Sequence, residues 1–104
     1  MAVRLRAQAN YPTTRQTGTP LNGTDISGAQ FRMRSAGNPN WSPFPLVAFP
    51  DKHVEIEIAE VGVFIFAVAC VLKNGKTGDY VEASYEIKDD SPPNVMLDLS
   101  VAPV

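Results

Sequence analysis

The sequence predicts an all-β protein built as an antiparallel sandwich. Apolar and polar residues alternate with a period of two wherever any periodicity exists, turn residues separate the alternating runs, and no segment carries a helical apolar stripe.

The elements follow in order. VRLRAQA (3–9) sets Val3, Leu5 and Ala7 on one face and Arg4, Arg6 and Gln8 on the other. NYPTTRQTGTPLNGTDISG (10–28) is a long polar loop with Pro12, Gly18, Pro20, Gly23 and Gly28. FRMR (31–34) opposes Phe31 and Met33 to Arg32 and Arg34, and SAGNPNWSPFP (35–45) is a second loop. VEIEI (54–58) alternates most cleanly. GVFIFAVACVL (62–72) has no charged residue, but it falls short of the roughly 18 apolar residues that span a bilayer. Gly62 opens it, the hairpin signal Asn74-Gly75 follows it, and β-branched and aromatic residues fill it, so it reads as a strand. One face carries Phe64, Phe66, Val68 and Cys70, the other Ile65, Ala67, Ala69 and Val71. YVEASYEI (80–87) sets Val81, Ala83, Tyr85 and Ile87 against Tyr80, Glu82, Ser84 and Glu86. In the tail, Pro92-Pro93 cannot continue a central strand, yet MLDLSV (96–101) alternates again. The expected organisation is one sandwich domain over 1–90 and a C-terminal extension over 91–104.

At 104 residues the chain can bury a core without disulfides, and the single Cys70 allows none internally. A net charge of −2 offers no electrostatic footprint for nucleic acid. MAVRLRAQAN has no apolar core of a signal peptide, so synthesis and folding in a cytoplasm are expected, with no membrane insertion. Arginines cluster in the first third (Arg4, Arg6, Arg15, Arg32, Arg34) while most acids follow Asp51, an asymmetry that could serve head-to-tail contacts between copies.

No spacing assembles a Ser-His-Asp or Cys-His set, so no enzyme is expected and no cofactor. His53 stands alone, and Asp89-Asp90 with Asp98 make no calcium loop, so no metal is expected either. Cys70 reads as a small buried hydrophobe. The loops 13–25 and 35–45 have room for a ligand but name none.

Tyr11-Pro12-Thr13-Thr14, Gly18-Thr19-Pro20-Leu21 and Ile26-Ser27-Gly28, then Phe64, Phe66, Val68, Val71, Asn74-Gly75 and Asp79-Tyr80, come in the order and spacing of a fibronectin type III domain. Over residues 3 to about 88 the chain resembles the version of that domain common in bacterial and bacteriophage proteins. The resemblance implies an immunoglobulin-like (fibronectin type III-like) antiparallel β-sandwich. Three departures stand out. The tryptophan of the family's first core strand falls at Ala9, the tyrosine of its sixth strand falls at Phe64, and almost nothing precedes Val3 to form strand A. The sandwich is therefore expected with or without its own first strand. A missing strand A would leave 3–9 with an open edge. The tail offers a cure: 95–101, with Leu97, Leu99 and Val101 on one side, could fill that place in another subunit. The competing reading is a frayed terminus.

The second face of 62–72 is the other candidate contact. Burying Ile65, Ala67, Ala69 and Val71 against a partner could contribute roughly 3–6 kcal/mol before association costs. Alternatively Arg32, Arg34 and Tyr80 lay their stems over the alanines from within the sheet. Trp41, in a Pro-rich loop, either anchors a contact or caps one end of the core. The expected protein interface thus comprises Ile65, Ala67, Ala69, Val71, Arg32, Arg34, Trp41, Leu97, Leu99 and Val101.

The functional expectation is a non-enzymatic virion structural protein: a small bacteriophage tail, collar, baseplate or capsid-decoration subunit, assembled in the host cytoplasm. Its expected partners are copies of itself and other virion proteins. The alternative is a carbohydrate or cell-surface binding module, with a host-surface glycan as partner.

Overall fold

The computed structural model describes residues 2–88 and 92–104. Among them the elements are β1 (Val3–Gln8), a 3-10 turn at Gly23–Asp25, β2 (Ile26–Ser35), β3 (Ser42–Pro43), β4 (Val47–Ala48), β5 (His53–Ile58), β6 (Gly62–Leu72) and β7 (Val81–Ile87). The protein is all-β and every strand pairing is antiparallel. β1 and β5 form a two-stranded sheet, while β2, β6 and β7 form the body of a larger one in which β3 and β4 both pair with β2. The two short strands meet different stretches of β2, near Met33 and near Ala29, so together they act as one interrupted edge strand.

The alternation seen in the sequence sets which faces meet. Val3, Leu5 and Ile56 from the small sheet pack with Met33 and Phe66 from the large one around buried Ile58, Phe64 and Ile87. This arrangement is consistent with a β-sandwich. Phe31, 2% exposed, is the largest fully buried side chain and pairs with Val68.

β2 begins well before FRMR, inside the stretch read as loop. A register shift between Ile26 and Gly28 explains the discrepancy: the extra residue, Ser27, breaks the strict period of two. Ile26 and Ala29 are both buried as a result. Gly28 is not there for a turn. A Cβ at this position would lie 2.1 Å from the Val47 carbonyl oxygen, so the close approach of β4 demands glycine. The Asn74-Gly75 turn forms, with Gly75 at φ 87° and Leu72 N–H donating to the Lys76 carbonyl. It closes a small extension of β6, because the β6–β7 pairing itself begins only at Val68 opposite Val81.

The tail differs from expectation. Residues 95–101 form no strand, and Leu97, Leu99 and Val101 are 80%, 91% and 94% exposed. Asp98 has a φ of 54°, which interrupts the extended run. Asp89 and Asp90 lie outside the described residues.

Two substitutions test this packing by urea denaturation. Phe31→Ala should destabilise the protein by about 3–5 kcal/mol. Gly28→Ala should cost about 1–3 kcal/mol by driving β4 away. Gly37→Ala, with nothing within 4 Å of the added carbon, should stay within about 0.5 kcal/mol.

Candidate protein-docking site

One face of the large sheet closes on itself. In β6, Ala67 and Ala69 point away from the core that holds Phe64 and Phe66, yet they are 2% and 3% exposed. Their cover comes from the same chain. Arg32 pairs with Ala67 and Gln30 with Ala69. The Arg32 guanidinium lies 4.2 Å from the Trp41 ring centroid and 3.7 Å from that of Tyr80. The Arg34 guanidinium lies 5.1 Å from the Trp41 ring centroid and donates to the Asn38 carbonyl. Gln30 Nε2 donates to the Phe44 carbonyl at 2.6 Å, tying down the link between β3 and β4. A planar cation between two rings gains both stacking and charge–quadrupole attraction. Trp41 therefore sits on the outer face of the large sheet and not over the end of the core. Of the four apolar residues expected at an interface, Ile65 and Val71 are half-buried and the two alanines are sealed. Arg32 Nε is out of solvent and has no hydrogen-bond partner among the described residues.

The inner face is where the protein is open. The large sheet is four strands wide and the small sheet two. β1 pairs with β5 along one edge, and among the described residues no strand pairs with the other. Val81 and Tyr85, which pair with Val68 and Phe64, are 63% and 51% exposed although they alternate with the core. Between β1's free edge and β7 runs a groove of about 420 Å³, lined by Leu5, Ala7, Phe31, Phe66, Ala83 and Tyr85 among others. A second cavity of about 610 Å³ continues it toward the loops, past Tyr11, Leu21 and Cys70. Ala9, Val68 and Val81 line both. The lining is apolar with exposed backbone along one wall, which suits an added strand.

The arginines of β1 are matched by acids of β5. Arg6 donates to Glu55 at 2.7 Å and Arg4 lies 3.6 Å from Glu57, across β1 and β5. The arginine–acid asymmetry of the sequence is thus partly consumed in cis. The hydrogen bond from Arg6, and then its charge, holds the Glu55 carboxyl below its usual range. Burial pushes the Cys70 thiol up, so this cysteine on the cavity wall is a poor nucleophile at neutral pH. Burial also raises Tyr11, with the charges of Cys70 and Asp51 adding to it, and the Tyr11 hydroxyl donates to the Asp51 carbonyl at 2.6 Å. His53 is exposed at the start of β5, and no group of three His, Cys, Asp or Glu residues gathers among the described residues. No helix there is long and apolar enough to cross a membrane.

The arginine–aromatic face is legible in the sequence. Val81, Ala83 and Tyr85 are not legible there as an open surface. Their alternation reads as core, and only the count of strands in each sheet reveals them as uncovered. No family model matches the chain, and neither a curated protein nor a solved structure matches it.

The aromatic clamp makes a separate prediction. Arg32→Ala should lose about 1–3 kcal/mol through lost stacking and uncovered alanines. Arg32→Met, which keeps a stem between the rings and removes the unpartnered Nε, should cost less than about 1 kcal/mol. Urea midpoints of the two variants check this, and equal losses would contradict the clamp.

Proposed function

We propose that this protein is a non-enzymatic assembly module: an immunoglobulin-like sandwich of the fibronectin type III kind that takes up a strand from another protein chain along the free edge of β1. The observation that carries the reading is the open edge lying over the uncovered Val81, Ala83 and Tyr85. An exposed edge beside exposed apolar side chains is a liability in a protein that stays alone and an asset in one that assembles. Ala9 supports the same reading. The resemblance implies a tryptophan there, and a small residue leaves space for an incoming side chain in both cavities.

The setting that fits such a module is a bacteriophage virion, where many small subunits lock to copies and neighbours after synthesis in the host cytoplasm. That setting comes from the sequence resemblance; the edge and groove support assembly in general. Glycan binding has less support, because the Trp41 ring is engaged by Arg32 and Arg34 and is only half-exposed.

Light scattering over a concentration series tests the proposal. The native chain should associate. Ala83→Arg places a charge in the groove at an exposed position, and should weaken association about tenfold or more while thermal stability barely changes. Association unaltered by Ala83→Arg would show that copies meet elsewhere and would refute the docking edge.

A further inference from the structure

We propose that the strand taken up along β1 is residues 95–101 of a second copy of this chain. The inference rests on the reading of β1 as a docking edge and names its occupant.

Size and pattern are the first argument. Seven extended residues span about 23 Å, and the six of β1 span about 20 Å. The tail alternates as the groove requires: Leu97, Leu99 and Val101 on one side, Met96, Asp98 and Ser100 on the other. Val95, Met96, Leu97, Leu99 and Val101 are 79–94% exposed in the single copy. The chain thus carries an apolar strand-like segment with no cover and an apolar groove with no strand, and neither fills the other.

Register and charge are the second. An antiparallel donor with Leu99 opposite Leu5 places Leu97 opposite Ala7 and Val101 opposite Val3, all facing inward. Asp98 then stands opposite Arg6 on the solvent side. A guanidinium has five donors, so Arg6 can hold Glu55 on one flank and Asp98 on the other. Of the two two-residue slips that keep the leucines inward, one moves Asp98 to Arg4, again an arginine, and the other to Gln8, which offers no charge. A one-residue slip drives the Asp98 carboxylate into the apolar groove, so the charge pins the phase of the strand. Pairing also returns Asp98 from its φ of 54° to extended backbone.

Antiparallel pairing, the sense of every strand pair in this fold, selects a second copy. Ile87 pairs with Gly62, and Val3 pairs with Ile58, so β7 ends where β1 begins. To run antiparallel to β1 of its own copy, the chain after Ile87 would first have to climb the whole length of β1, about 20 Å, and then reverse. A tail arriving from a neighbour needs no such detour. Each copy then gives one strand and receives one. The contact is heterologous, so it propagates into a fibre or closes into a ring.

Two complementary full-length variants test this: Leu97→Lys/Leu99→Lys in the tail, at exposed positions, and Ala83→Arg in the groove. Val81→Lys serves as a second groove variant, and circular dichroism verifies that each folds. Sedimentation equilibrium should find the native chain growing beyond dimers with concentration. Each variant alone should stay at the mass of one 11.3 kDa chain. Their equal mixture should form a heterodimer and stop there, because one good tail meets one good groove and the remaining tail and groove are blocked. A tail variant that associates like the native chain while the groove variants do not would overturn the tail as occupant and leave the docking edge standing. A mixture that remains monomeric, or a native chain monomeric at every concentration, would equally overturn it.

Discussion

Two strands side by side span about 10 Å and four span about 19 Å, so a two-stranded layer closes only part of a four-stranded face. The rest of this structure depends on that mismatch. Where β1 and β5 lie over the large sheet, Ile58, Phe64 and Ile87 are buried. Beyond β1, the same face continues through Ala83 and Tyr85 into solvent. The alternation of β7 commits its apolar side chains to this face whether or not anything covers them, because a strand cannot turn one residue without turning its neighbours. An apolar groove beside an open backbone edge follows from strand count alone.

The outer face resolves the opposite problem by different means. There the apolar residues are small, and a layer of arginine, glutamine and aromatic side chains from the same sheet suffices to cover them. The two faces therefore divide the work. One is sealed by side chains that reach solvent with their polar ends, and the other needs a further strand.

Much of the fold was legible in the sequence. Period-two runs marked β1, β5 and β7 to within a residue or two, because their polar and apolar residues take opposite faces, while Gly62, Asn74-Gly75 and a β-branched, aromatic filling marked β6. The start of β2 was hidden by Ser27, whose extra place in the register breaks the period, and by Gly28, which looks like a turn residue but marks a backbone contact with β4. β3 and β4 were hidden because two-residue strands carry no periodicity. On the outer face of the large sheet, the arginines facing small alanines could be read directly. Which arginine stacks on which ring could not, since Trp41 and Tyr80 meet Arg32 from distant parts of the chain. The openness of β7 depends on where a different sheet ends, and nothing local encodes that.

The ion pairs across β1 and β5 have a consequence for how the protein meets acid. Glu55 has its carboxyl lowered by Arg6 in the folded chain, so the stabilisation it lends is present above the carboxyl's unfolded value and fades as pH falls through the folded one. Acidification therefore slackens the Arg6–Glu55 tie across β1 and β5, along the strand whose free edge is open.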